Sequence, residues 1–195
     1  MPQFSYTAPM DSKIDTQWPP EQLDVKTFAR DAAQLTGQAP LPAWERLSEE
    51  AQTELQAPAV RWSAQGELKV QAGTLDEVWL HLQVHAALPL LCQRCLTPVL
   101  TPVEVDRSFR FVADEATAMA LDEEAQEDLL VLSREFNVLE LVEDEVILAM
   151  PLVPFHEVCP APLPMSAADP LFEQAQEERP NPFAALASLK VGRSP

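Results

Sequence analysis

Glycine is scarce in this chain: four in 195 residues, Gly37, Gly66, Gly73 and Gly192, and no two lie close enough to build a glycine-rich loop. Loops that cradle phosphates need clustered glycines to bring backbone N–H groups against the ligand, so that class of nucleotide site is excluded. Positive charge is short as well. Thirteen Lys and Arg face 31 Asp and Glu, a formal net charge of −18. Such a surface repels a phosphate backbone and attracts basic proteins or peptides, and any nucleic-acid contact must be local. Histidine occurs three times, at 81, 85 and 156, too scattered to support a serine or cysteine triad. No apolar run reaches the length of a membrane span, and the stretch from Met1 to Asp11 lacks the basic-then-apolar pattern of a signal peptide. A soluble, cytoplasmic protein is expected. Only three cysteines are present. They cannot all pair with one another, and in a reducing cytosol a C-x-x-C points to metal or redox chemistry rather than to a structural disulfide.

What is present suits one α+β domain with tails. The chain is long enough for a proper core, and 47% of it is hydrophobic. Residues 1–22, with Pro2, Pro9, Pro19 and Pro20, read as an extended lead-in. Asp24 is placed to cap a short helix that carries Val25, Phe28, Ala29 and Ala32 and stops at Gly37. A second short helical piece is expected over 43–51. The segment 60–71 and the alternation Val78, Leu80, Leu82, Val84, Ala86 give two antiparallel strands, with His81 and His85 on the polar face. A third strand puts Val103, Val105, Arg107, Phe109 and Phe111 on one side. Arg107 is the anomaly there, because a guanidinium on an apolar face needs a carboxylate partner.

Residues 113–145 hold twelve acids against Arg134 alone, a local net of −11, most of them in a loop from Asp114 to Asp128. Such a run is ordinarily a solvated surface, and its sharper reading is a lure for a basic partner. A further strand near Leu129 precedes the strongest helix of the chain, capped by Asn137 with Glu140 three positions on and closed by Pro151. At 100° per residue its apolar face takes Val138, Leu139, Leu141, Val142, Val146, Leu148, Ala149 and Met150 and leaves Glu140, Glu143 and Asp144 outside. Glu145 falls inside the arc, about 20° from Val138, and is the candidate ion-pair partner of Arg107. The domain thus spans 23–160: an antiparallel sheet with a C-x-x-C knuckle between strands, covered by one main amphipathic helix. An acidic, proline-rich linker (161–179) leads to a short C-terminal helix and tail (180–195). There Pro182 follows a capping Asn181, and Phe183, Leu186 and Leu189 lie one turn apart as a candidate partner-binding face.

Two half-sites carry the chemistry: Cys92-Gln93-Arg94-Cys95 and His156-Glu157-Val158-Cys159. Thiolates and imidazole suit zinc, and a two-residue gap lets two sulfurs face one ion, so Cys92, Cys95, His156 and Cys159 form a candidate tetrahedral set. The alternative is that the cysteines are small buried residues at a strand turn and His156 a hydrogen-bonded loop histidine. A thiol oxidoreductase would place its cysteines at a helix start, whereas here a strand follows. A metal hydrolase would need an open coordination position and a general base, for which only Glu157 stands nearby. Arg94, at the knuckle, and Arg110, on the polar strand face, are the residues for a small cationic spot that could touch RNA.

The run Cys92-Gln93-Arg94-Cys95, the stretch from Val142 through Met150-Pro151-Leu152-Val153-Pro154-Phe155-His156, then Cys159, and last Pro180-Asn181-Pro182-Phe183-Ala184-Ala185-Leu186 through Lys190 resemble the bacterial YceD family. The likeness runs in order over roughly residues 60–190 and is weak in the amino-terminal third. Members are called large ribosomal RNA subunit accumulation proteins, and plant organellar relatives are needed for normal levels of 23S ribosomal RNA. The resemblance implies a factor in large-subunit biogenesis and supplies no catalytic residue. With the charge balance, it leads to the expectation of a non-enzymatic protein that meets large-subunit assembly intermediates through a basic protein partner. The competing expectation is a zinc-stabilised RNA-binding module.

Overall fold

The computed structural model describes residues 17–51, 55–70 and 76–161. The chain divides into two units, Met1–Glu157 and Val158–Pro195. The architecture below is that of the first. The expected linker and the helix bearing Phe183, Leu186 and Leu189 lie outside the described residues.

Asp24 does cap a helix, α1 (Val25–Arg30): its carboxylate accepts from the Thr27 backbone N–H at 3.1 Å and from the Thr27 hydroxyl at 3.0 Å. The helix ends earlier than its apolar spacing suggests. Ala32 turns the chain at φ 46, and β1 (Gln34–Ala39) follows at once. Gly37 is therefore no helix stop. It sits in β1 opposite Trp62, and a Cβ there would lie 2.6 Å from the indole ring, so glycine is needed for close approach. After α2 (Glu45–Glu50) come β2 (Val60–Lys69), β3 (Glu77–Leu91) and β4 (Pro98–Val112). The chain then forms α3 (Glu115–Leu121), β5 (Asp128–Val131) and α4 (Val138–Ala149).

The five strands lie in sequence order, β1 to β4 antiparallel and β5 parallel to β4. A parallel neighbour requires a crossover. The acidic stretch expected as a loop supplies it by folding into α3, whose cap Asp114 accepts from Thr117. β3 alternates as expected: Val78, Leu80, Leu82, Val84 and Ala86 are buried. On its other face His81 bonds Ser108 (2.8 Å) and Glu67 (2.7 Å). α1 packs on β2 and β3, and α4 on β3 and β4, enclosing Phe28, Leu80, Leu82, Phe109 and Val142. No helix among the described residues is long and apolar enough to cross a membrane.

Asn137 caps α4 by accepting from the N–H groups of Leu139 (3.0 Å) and Glu140 (3.3 Å). The buried arc, however, is rotated relative to the apolar face. Leu148 is 77% exposed, whereas Glu143 is buried. Glu143 is drawn in because α2 begins against it: Oε1 accepts from the backbone N–H of Arg46 (2.9 Å) and of Leu47 (3.1 Å), and Oε2 from Arg46 Nε (3.2 Å). One carboxylate thus satisfies two amides that the helix start leaves orphaned.

The Arg107–Glu145 ion pair is also corrected. Arg107 is half exposed and bonds Asp128, the first residue of β5, because the parallel register sets Asp128 beside Phe109, two residues along β4. Glu145 stays buried at 7% exposure. Burial raises its carboxyl pKa, the Arg107 charge pulls it down, and Asp128 and Asp144 push it up again. Replacing Glu143 with Ala leaves two amides of α2 without their acceptor and should lower stability by roughly 1–3 kcal/mol. Asp144→Ala, at an exposed pair with Arg46, should cost less than about 1 kcal/mol. Urea unfolding midpoints check both, and equal effects would refute the capping role.

Candidate metal centre

β3 ends at Leu91 and β4 starts at Pro98, so the knuckle is the turn of the longest hairpin. Its backbone closes on itself: Cys92 N–H donates to the Thr97 carbonyl (3.0 Å) and Leu96 N–H to the Cys92 carbonyl (2.9 Å). Leu96 makes the turn with φ 55. The segment after α4 is tied to this turn by Gln93 N–H, which donates to the Pro154 carbonyl at 2.9 Å. The Arg94 guanidinium adds bonds to the carbonyls of His156 and Glu157 and lies over the Phe155 ring, 5.4 Å from its centroid. These contacts carry His156 to the cysteines.

Cys92 is fully buried and Cys95 and His156 half buried. The His156 backbone N–H donates to Cys92 Sγ at 3.4 Å, and Cys95 Sγ is 3.4 Å from His156 Nδ1 and 3.1 Å from Thr97 Oγ1. The two sulfurs and a ring nitrogen of His156 lie within 4.8 Å of one another. Burial pushes the Cys92 thiol up. The N–H groups of Cys95, His156 and Arg94 and the His156 ring all favour the thiolate, and the outcome is a pKa lowered from 9.0 to about 5. His156 moves the other way, raised chiefly by its bond to Cys92, against burial and with help from Cys95. A thiolate beside an imidazole is what a borderline-soft divalent cation selects. Cys159 is the remaining cysteine of the candidate set. It stands three positions after His156, two residues into the second unit.

The two arginines of the expected cationic spot are both engaged within the chain. Arg94 is engaged by the chain's own carbonyls. Arg110 is held by Glu77 (3.3 Å) and Glu127 (3.2 Å). It pairs across the sheet with Trp79, twelve residues along β3 from Leu91, and so lies roughly 40 Å from the knuckle at about 3.3 Å per residue. The two arginines therefore form no common cationic spot. Sequence reasoning overlooked three residues: Glu143, which looked like a surface acid, Phe155, which seats Arg94, and Leu96, whose only signal is a large side chain after Cys95 where glycine turns more readily.

An α+β domain with a cysteine–histidine knuckle at the tip of its central hairpin is the class that fold and site define. The family model described as Large ribosomal RNA subunit accumulation protein YceD matches residues 80–190, and the chain belongs to that family. A relative from Haemophilus influenzae, itself named Large ribosomal RNA subunit accumulation protein YceD, is 37% identical over 113 residues. The match takes in 55% of this chain and 63% of that relative, under two thirds of its length. No solved structure matches the chain.

The sign of the pH dependence follows from the two shifts. Stability drawn from the lowered Cys92 pKa is full above 9.0 and is lost as pH falls toward about 5. That drawn from His156 is full below 6.5 and is lost as pH rises through its raised pKa. In metal-free protein with Cys95→Ser and Cys159→Ser, ultraviolet thiolate absorbance of Cys92 should half-develop well below the ordinary thiol range, near about 5. A midpoint near 9 would show that the knuckle amides do not act on the sulfur.

Proposed function

We propose that this protein is a non-catalytic, cytoplasmic factor for the accumulation of large-subunit (23S) ribosomal RNA. It acts by holding a basic protein partner of the assembling large subunit, and zinc on Cys92, Cys95, His156 and Cys159 fixes its knuckle. Family membership is the observation that carries the reading. Charge supports the mode of action: the net is −18, and Asp114, Glu115, Asp122, Glu123, Glu124 and Asp128 are exposed around α3. Direct RNA contact has weaker support, because Arg94 and Arg110 are both occupied by groups of this chain. A thiol oxidoreductase is disfavoured by the full burial of Cys92 and by the strand that follows Cys95.

Zinc, when bound, would supply no chemistry beyond a cross-link between the hairpin tip and the chain after α4. Purified protein is expected to carry equimolar zinc by elemental analysis. Chelator or Cys92→Ser should remove the metal and lower the melting temperature. Zinc-free protein with an unmoved melting temperature would sink the metal reading. For the partner, cells depleted of the protein should lose large-subunit relative to small-subunit ribosomal RNA. Retention of basic large-subunit proteins should survive nuclease and fall with added salt. If the pure protein instead holds naked ribosomal RNA at moderate salt and no basic protein, the proposed mode of action fails.

A further inference from the structure

Neither metal binding nor the sheet requires a leucine at position 96. The residue adopts φ 55, a left-handed conformation in which a Cβ is crowded and glycine relaxes. Burial does not offset the strain, since Leu96 is 67% exposed. A strained residue that shows an apolar side chain to solvent suggests a contact made outside the fold.

Leu96 has company. Leu148, Leu152, Val153 and Phe155 are all exposed, Leu152 almost completely at 99%. They fall within eight consecutive positions, and the far end of that stretch is pinned to the knuckle through the Pro154 and His156 carbonyls. Val153 and Phe155, which flank Pro154, are thereby held next to the turn that carries Leu96. Single exposed apolar residues are ordinary, but a cluster on an immobilised segment marks an interaction surface. Exposed acids flank it along the chain: Glu140 stands about two turns before Leu148 on α4, and Glu157 two residues after Phe155. A second copy of a chain at −18 would set acid against acid, and so would RNA. A basic polypeptide carrying bulky apolar anchors complements both features.

We infer that Leu96, Leu148, Leu152, Val153 and Phe155 form the docking surface for a basic, apolar-anchored segment of a protein partner, with Glu140 and Glu157 receiving its cations. The inference deepens the function proposed above and rests on it. Zinc at the knuckle then sets the position of the surface.

The test titrates individually purified basic proteins of the large ribosomal subunit against the full-length, metal-loaded chain and its variants. Leu96→Gly removes the side chain and relaxes the backbone, so the melting temperature should hold or rise while affinity for the bound protein falls. Adding Leu152→Ser and Val153→Ser, both at exposed positions with no part in the knuckle, should leave the fold intact and bring the loss to roughly tenfold or more. Unchanged affinity in the folded triple variant overturns the surface while leaving the proposed function standing. A lower melting temperature for Leu96→Gly overturns the strain argument. Loss of naked-RNA binding, or of a concentration-dependent dimer, in these variants assigns the surface to another occupant and also overturns the inference. If the wild-type chain binds none of the basic proteins, the proposed function itself fails.

Discussion

The antiparallel pairing of β3 with β4, fourteen register pairs from Val78↔Phe111 to Leu91↔Pro98, is the constraint from which the rest of the molecule takes its position. A slip of one residue would turn Leu80, Leu82 and Phe109 to the wrong face, so the buried faces of the two strands lock the register. With the register locked, the tip of the hairpin has a fixed place, and the short turn from Cys92 to Thr97 can be closed by its own backbone bonds. The knuckle is thus organised by packing far from it. The segment after α4 reaches it only because α4 lies across the same two strands.

The acids of this protein divide into three environments with different consequences. Those around α3 are solvated and contribute a field. Glu143 is buried yet fully used, since it accepts from two amides and a guanidinium. Glu145 is buried beside a charge it does not directly pair with, and its carboxyl pKa is raised as a result. A single helix therefore carries solvated, capping and desolvated carboxylates within six residues, and their roles are set by what faces each of them.

The parts of this arrangement legible in the sequence were those written in short periods. Alternation in 78–86 and 103–111 gave the central strands, Asn137 with Glu140 gave the start of α4, and two cysteines between alternating runs gave the knuckle. What could not be read depended on partners distant in the chain. Gly37 resembled a helix stop because the indole of Trp62, which excludes a side chain there, is 25 residues away in sequence. Asp128 took Arg107 from Glu145 because a crossover helix formed in an acidic stretch that looked like a loop. Helical angle alone turns Leu148 inward, but the true buried arc turns toward Glu143, whose amide partners belong to α2. Of the centre, residue types and spacing were readable, while the bond from Gln93 to Pro154 that assembles it left no trace in composition.

The two outermost strands, finally, are short. β1 has six residues and runs into Pro40 and Pro42, and β5 has four, against fifteen in each strand of the central hairpin. Short edges offer little backbone for a foreign strand to zip onto, which protects a sheet from edge-to-edge aggregation. A molecule built this way selects its associates by side chains, and its specificity can be altered one surface residue at a time without rewriting the sheet.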